Sequence, residues 1–160
     1  MSTLLPKKFF LVSGSGLSKI SRLNAFDRAL VDARIDQCNL VPVSSILPRD
    51  AMPVDYTYIN PGTITFCVLS RIDNESVKSI GTGIGWAMCE GIKIKERFGI
   101  VAEDSGHKTD KELDDDIKKK LWEMAEARNM KIIEHKIITK CLNVPKNQFG
   151  SVIAALIFLD

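Results

Sequence analysis

The alternation of apolar and polar residues predicts a chain made mostly of β-strands. Short runs rich in β-branched and aromatic residues, or with every second residue apolar, mark the expected strands. They cover residues 8–13, 38–43, 64–69, 79–89, 98–103, 131–141 and 150–159. The last run is apolar almost throughout, which is typical of a strand that is buried on both faces of its sheet.

A first helix is predicted over residues 21–35. Its apolar residues recur every three or four positions and so share one face, and Ser21 can cap the first turn. The expected buried face consists of Leu23, Phe26, Ala29, Leu30 and Ala33. On this pattern alone, Asp27 is a solvated carboxylate beside that face, paired with a nearby arginine.

A second helix is predicted from a capping box at Thr109 and Glu112 to about Asn129. Three aspartates at residues 114–116 precede three lysines at residues 118–120. Acids near the start of a helix and bases further along favour a solvated face with acid–base pairs over a metal site. The expected buried stripe consists of Leu113, Ile117, Leu121, Met124 and Ala125.

Two glycine-rich stretches are expected to have structural roles. Residues 13–16 (SGSG) follow the first strand and predict a tight turn, since glycine adopts positive φ angles at low cost. Gly81, Gly83 and Gly85 alternate along one strand and leave one face nearly bare. Such a face permits close approach by another backbone or a neighbouring subunit. Neither stretch contains a complete nucleotide-binding fingerprint.

The order of elements predicts an α+β fold with two sheets packed face to face and helices outside. With 160 residues and no repeat or flexible linker, the chain is expected to form a single domain. Its net charge of +2 and the absence of a basic run with interleaved aromatic residues argue against a nucleic-acid partner.

The N-terminal residues and the cysteines together predict a cytoplasmic protein. Residues 1–8 lack the layout of a secretory signal, and no apolar run reaches the roughly 18 residues of a membrane span. The four cysteines, Cys38, Cys67, Cys89 and Cys141, include no C-x-x-C pair. We therefore expect free thiols in a reducing compartment, and no metal site.

Candidate chemistry lies in the serine pair Ser44-Ser45, at the end of a strand-like run and three residues before Pro48. The Ser45 hydroxyl is close to the Ser44 carbonyl carbon in any conformation of the chain. If the backbone is held in a strained turn, the hydroxyl can attack that carbonyl and replace the amide with an ester. Elimination then cuts the chain, and hydrolysis leaves a pyruvoyl group at the new N-terminus. A plain turn is the alternative interpretation of two adjacent serines.

Three stretches give the chain a resemblance to a known family. Residues 23–30 (LNAFDRAL), 39–48 (NLVPVSSILP) and 99–106 (GIVAEDSG) occur in this order. Together they closely resemble the helix, the cleavage segment and the later acidic strand of the pyruvoyl-dependent arginine decarboxylases. The resemblance covers most of the chain and is strongest from Leu23 to Pro48.

The resemblance implies a zymogen that cleaves itself between Ser44 and Ser45 into residues 1–44, the β chain, and residues 45–160, the α chain. The implied cofactor is a covalent pyruvoyl group derived from Ser45. It accepts electrons while CO2 leaves L-arginine and agmatine forms, a step of polyamine biosynthesis. The implied fold is a four-layer α-β-β-α sandwich of mostly antiparallel sheets. The implied assembly is a homotrimer of cleaved protomers with active sites between subunits.

The resemblance also assigns roles to individual residues. Glu103 is implied as the proton donor, a role that suits a glutamate kept protonated by partial burial. Asn39 is implied to assist self-cleavage, since an amide can donate a hydrogen bond to the oxyanion on Ser44. Asp27, Leu30 and Ser44 are implied to contact the substrate, with the Asp27 carboxylate on the guanidinium group. On pattern alone, Asn39 is a strand-edge residue and Glu103 a solvated acid.

One departure from the family pattern bears on the substrate. Arg34 and Asp36 stand where family members often carry glycines, and an extra cation near the pocket can weaken guanidinium binding. Two alternatives therefore stay open: a pyruvoyl-dependent decarboxylase for a different amino acid, and an uncleaved, non-catalytic oligomeric scaffold.

Overall fold

The computed structural model describes residues 4–75 and 78–160, with backbone only at residue 75. Residues 1–3, part of the stretch used for the prediction about secretion, lie outside the described residues. The elements in chain order are β1 (Lys8–Ser18), α1 (Arg22–Asp32), β2 (Asn39–Pro42), β3 (Ile46–Leu47), β4 (Met52–Pro53), β5 (Ile64–Glu75), β6 (Lys78–Gly91), β7 (Arg97–Gly106), α2 (Asp110–Glu126), β8 (Met130–Val144) and β9 (Phe149–Leu159).

Two sheets pack face to face and confirm the predicted α+β sandwich. One sheet has five strands in the order β2-β5-β9-β1-β4, and the other has four in the order β3-β7-β6-β8. The pairs β1–β4 and β2–β5 are parallel, and the other pairs are antiparallel. Strand β9 lies between β1 and β5 and is buried from Gly150 to Phe158, as its apolar sequence predicted.

Helix α1 covers the outer face of the five-stranded sheet, and Ser21 caps it as predicted by accepting a hydrogen bond from the Asn24 N–H. The predicted turn at residues 13–16 is wrong, because β1 continues to Ser18. A Cβ atom on Gly14 would lie 2.1 Å from the Ala29 carbonyl oxygen. The glycine therefore lets the helix backbone approach the strand. Leu23, predicted to be buried, is 71% exposed.

Helix α2 covers the outer face of the four-stranded sheet. The predicted capping box is present, with Thr109 and Glu112 each bonding to the other's backbone. A Cβ atom on Gly83 would lie 2.7 Å from the side chain of Ile117 on α2, and one on Gly85 would lie 2.8 Å from it. The bare face of β6 is thus covered by helix α2 of the same chain and not by a neighbouring subunit. Of the predicted stripe, only Met124 is not fully buried.

The two sheets are joined by an apolar core and by one buried pair of hydroxyl groups. The Phe9 ring packs edge-on against Trp86 with centroids 5.3 Å apart. Ser70 on β5 and Thr82 on β6 are buried, and their hydroxyl oxygens lie 2.6 Å apart. The Thr82 hydroxyl also donates to the Asp104 carbonyl oxygen on β7. This contact ties the end of β7 to the middle of the sandwich.

The four cysteines are free thiols, as expected. Cys67 and Cys89 are buried, and Cys38 and Cys141 are half-buried. Burial, with a smaller effect from Cys38, raises the pKa of the Cys67 thiol to about 11. It therefore stays protonated at neutral pH and fills space as an apolar group. Among the described residues, no helix combines the length and the apolar character that crossing a membrane requires.

Candidate active site

The serine pair lies where the chain crosses from one sheet to the other. Before it, β2 pairs with β5, and the Val43 N–H donates to the Cys67 carbonyl oxygen at 2.8 Å. After it, β3 pairs with β7, and the Val101 N–H donates to the Ser45 carbonyl oxygen at 2.9 Å. Backbone hydrogen bonds to different sheets therefore hold the chain on both sides of the Ser44–Ser45 peptide.

The crossing leaves an open edge on β7. Strand β3 pairs with Gly99 and Ile100, and among the described residues the bond from Val101 to Ser45 is the last backbone hydrogen bond between the two segments. Glu103 lies two residues further, about 7 Å along the strand. Because side chains alternate across a strand, Glu103 shares the face of Val101, which packs into the core between the sheets.

A surface cavity of about 280 Å³ brings two of the predicted residues together. Ser45 and Glu103 both line it, along with Val101 and Ala102 of β7. Within residues 4–75 and 78–160, the Glu103 carboxylate makes no hydrogen bond or salt bridge. Its partial burial raises its pKa, and the positive charge of Lys120 opposes that effect. Ser45 and Glu103 therefore line one cavity, and the Glu103 carboxyl group has a raised pKa.

Helix α2 supplies cavity-lining residues that the sequence predictions missed. They are Lys120, Glu123 and Met124, which share one face of the helix at a spacing of three to four residues. The Lys120 ammonium donates to the Glu103 carbonyl oxygen and to the Asp104 carboxylate, each at 2.8 Å. Helical periodicity groups these residues, but it does not indicate which strand they face.

Asp27, Leu30 and Asn39 lie elsewhere in the chain and do not line this cavity. Asp27 is exposed on α1, and Leu30 packs beneath that helix against the five-stranded sheet. Asn39 begins β2, and its amide donates to the Gly62 carbonyl oxygen at 2.9 Å. At the rise of a strand, this position is roughly 15 Å from Ser44. Of the predicted site residues, only Ser45 and Glu103 therefore line one cavity within a single chain, with Ser44 next to Ser45 in the sequence.

Comparison with known proteins identifies the family. The sequence model of the family described as pyruvoyl-dependent arginine decarboxylase matches residues 8–160. The chain belongs to this family. The pyruvoyl-dependent arginine decarboxylase of Methanopyrus kandleri is 34% identical to it over 96% of this chain and 97% of the relative. Pyruvoyl-dependent arginine decarboxylase 2 of Archaeoglobus fulgidus is also 34% identical, over 98% of each chain. A Methanothermobacter thermautotrophicus relative of the same name is 33% identical over 88% of this chain and 89% of its own length.

The residues present fit the cofactor named by the pyruvoyl-dependent family. A pyruvoyl group requires a serine from which it can form, and Ser45 lies at the crossing with its carbonyl oxygen held by Val101. It also requires space for a substrate and a proton donor nearby. Ser45 and Glu103 line the same cavity, so a serine and a carboxyl-bearing residue lie beside one open space. The chain is therefore an enzyme of the decarboxylase type that uses a covalent pyruvoyl group.

Proposed function

We propose that the chain cleaves itself between Ser44 and Ser45 and then converts L-arginine to agmatine and CO2. The observation that carries this proposal is the shared cavity of Ser45 and Glu103 beside a peptide held between two sheets. A peptide held from both sides can be kept in the bent geometry that side-chain attack on the backbone needs. The family match supplies the expected chemistry.

The self-cleavage uses only atoms of this chain and water. The Ser45 Oγ attacks the Ser44 carbonyl carbon, the C–N bond breaks, and an ester joins Ser44 to the Ser45 side chain. Loss of the Ser45 α-proton and rupture of its Cβ–Oγ bond release the Ser44 carboxylate. Water then replaces the nitrogen of the dehydrated Ser45, and ammonia leaves. The products are residues 1–44 and residues 45–160, the second beginning with the pyruvoyl group.

In the decarboxylation, the pyruvoyl group acts as an electron sink when the carboxylate leaves. Val101 holds the carbonyl oxygen of residue 45 through its N–H and so orients the cofactor position. Glu103 gives a proton to the substrate α-carbon after CO2 departs, which its raised pKa favours.

The substrate is bound, in this proposal, by Asp27, Leu30 and Ser44, with Asp27 on the guanidinium group. Two carboxylate oxygens match the parallel N–H donors of a guanidinium, which favours arginine over shorter amino acids. The extra cation Arg34 lies 3.9 Å from the centroid of the Tyr56 ring, so its charge faces that ring. This contact supports arginine as the substrate despite the departure from the family pattern.

The functional form is proposed to be a homotrimer in which neighbouring protomers complete each site. Asp27, which is exposed on α1, reaches the cavity from an adjacent protomer, and Asn39 assists cleavage. An exposed apolar surface near the crossing supports such an assembly. A groove of about 370 Å³ there is lined by Val43, Ile46 and Phe66 with residues 4–6, and Val43 and Ile46 are 42% and 46% exposed. The number three follows the family resemblance.

Intact-mass spectrometry of Ser45→Ala and Ser44→Ala tests this function. The unchanged protein should give two chains split after Ser44, with the larger one lighter by ammonia than hydrolysis alone would leave it. Ser45→Ala removes the nucleophile and should remain a single 17.8 kDa species with no release of CO2 from arginine. Ser44→Ala keeps the nucleophile and should cleave, at most more slowly. Complete cleavage of both variants would contradict the mechanism.

A substrate panel separates the family reaction from its nearest alternative. Cleaved protein that releases CO2 from another amino acid but not from arginine would leave the cofactor chemistry intact and overturn the substrate. Uncleaved protein that is inactive toward the whole panel would favour the non-catalytic scaffold.

A further inference from the structure

Lys120 connects α2 to the strand that carries Glu103. Its ammonium donates to the Glu103 carbonyl oxygen and to the Asp104 carboxylate, each at 2.8 Å. Lys108 binds the other oxygen of the same carboxylate at 2.5 Å and reaches Asp116 on α2 at 2.9 Å. Asp104 is only 12% exposed, so two cations hold a largely buried carboxylate between the strand and the helix.

The bond to the Glu103 carbonyl oxygen replaces a missing strand neighbour. The Val101 N–H points toward β3 and donates to Ser45. Residues two apart on a strand direct their backbone groups to the same side, so the Glu103 carbonyl points to the edge where β3 is no longer present. Lys120 occupies that edge and satisfies an acceptor that would otherwise be left to solvent.

We propose that Lys120 is a positioning residue for Glu103, fixing the end of β7 against α2 and placing a positive charge beside the proton donor. The inference rests on the proposed function, in which Glu103 protonates the substrate. It goes further by assigning a role to a residue of α2 that lines the same cavity.

The positive charge of Lys120 lowers the pKa of Glu103. The charged groups near Glu103 are Asp104 on its own strand, Lys120, Glu123 and Asp116 on α2, and Lys108 in the intervening loop. Burial raises the pKa of Glu103 and Lys120 opposes it. Loss of the Lys120 charge therefore raises that pKa further, and the protonated donor persists to higher pH. Catalysis that needs protonated Glu103 declines as pH rises through this pKa, so the alkaline limb of the profile should move upward.

Three variants test whether Lys120 in particular, rather than any lysine of α2, acts on Glu103. Lys120→Met removes the hydrogen bonds and the charge, Lys120→Arg keeps both, and Lys119→Met removes a neighbouring lysine that is 79% exposed. For arginine decarboxylation, Lys120→Met should lower kcat at neutral pH by about tenfold, since a displaced proton donor loses transition-state contact. Its alkaline limb should move upward. Lys120→Arg and Lys119→Met should keep the unchanged protein's profile. Equal profiles for Lys120→Met and Lys119→Met would overturn the proposal.

A second measurement, the titration of the Glu103 carboxyl group, does not depend on decarboxylase activity. Carbon-13 NMR of the Glu103 carboxyl, assigned by its loss in Glu103→Gln, reports its titration directly. The midpoint should be higher in Lys120→Met than in the unchanged protein, and Lys120→Gln, which stays polar, provides the same charge test if the methionine variant is poorly folded. An unmoved midpoint in both variants overturns the inference. Absence of arginine decarboxylation by the unchanged protein, with a moved midpoint, overturns the proposed function instead.

Discussion

Arg34 has an unusual backbone conformation at the end of α1. Its φ angle is 60°, in the left-handed region that favours glycine. The next residue, Ile35, is buried and its N–H donates to the Leu30 carbonyl oxygen, while Arg34 itself donates to Val31. This is the Schellman arrangement that terminates helices, in which glycine is usual at the left-handed position. The departure from the family's glycine thus lies at a position where the backbone is strained.

Replacing Arg34 with glycine and with alanine separates this strain from the side-chain contact. Both changes remove the guanidinium from the Tyr56 ring, but only glycine relieves the left-handed conformation. We expect Arg34→Gly to be more stable than Arg34→Ala by about 1 kcal/mol, measured by urea denaturation monitored by tryptophan fluorescence. Equal stability of the two variants would show that the backbone at residue 34 is not strained.

At the scale of elements, the contact between α1 and β1 depends on two glycines. Gly14 and Gly16 lie on the strand face beneath the helix, and a Cβ atom on either would come within 2.2 Å of a helix carbonyl oxygen. The obstructing atoms belong to the backbone, so no change of rotamer makes room. The helix that carries Asp27 is therefore held at a distance that a methyl group would not allow.

Gly14→Ala should displace α1 from the sheet. We expect a loss of about 3 kcal/mol of unfolding free energy, because the helix must move as a unit or leave the strand. Ser15→Ala is the matched control, since this residue is on the same strand but faces the other side, and it should cost about 0.5 kcal/mol or less. Urea denaturation measures both. A Gly14→Ala protein as stable as the control would mean that the helix can shift without cost.

At the scale of the whole molecule, the predicted site is divided. Ser45 and Glu103 lie at the open edge of the four-stranded sheet, whereas Asp27 is on the helix outside the five-stranded sheet. Side chains at the edge of one sheet and on the helix outside the other sheet do not meet within this chain. A shared site requires a neighbouring copy, and the exposed apolar surface near the crossing is compatible with one.

Coexpression of two inactive variants tests whether sites are shared. Asp27→Asn should raise KM for arginine, and Glu103→Gln should lower kcat, each by at least about a hundredfold. If one protomer supplies Asp27 and its neighbour Glu103, random mixing in a symmetric ring leaves about a quarter of the sites intact. Activity should then recover to about that fraction. Separately purified variants that are mixed only after assembly are the control, and no recovery on coexpression would place each site within a single chain.

The sequence alone determined the local features of this protein. Ser21 and the Thr109–Glu112 box begin helices where predicted, because capping acts within one turn. The apolar run of β9 predicted its central position, because burial on both faces excludes polar residues. The motif around Ser44-Ser45 predicted the family that the comparisons show, since those residues are contiguous along the chain.

Only the tertiary structure decided which distant residues meet. The turn predicted at residues 13–16 is part of a strand. The glycines there leave room for the backbone of a helix, which Gly14 contacts 15 residues further along the chain. The partnership of Lys120 with the end of β7 depends on how α2 crosses the sheet, which no local pattern contains. The shared cavity of Ser45 and Glu103 depends on the chain changing sheets at the serine pair. Periodicity specifies the face on which a side chain lies, whereas strand register and sheet packing specify what that face meets.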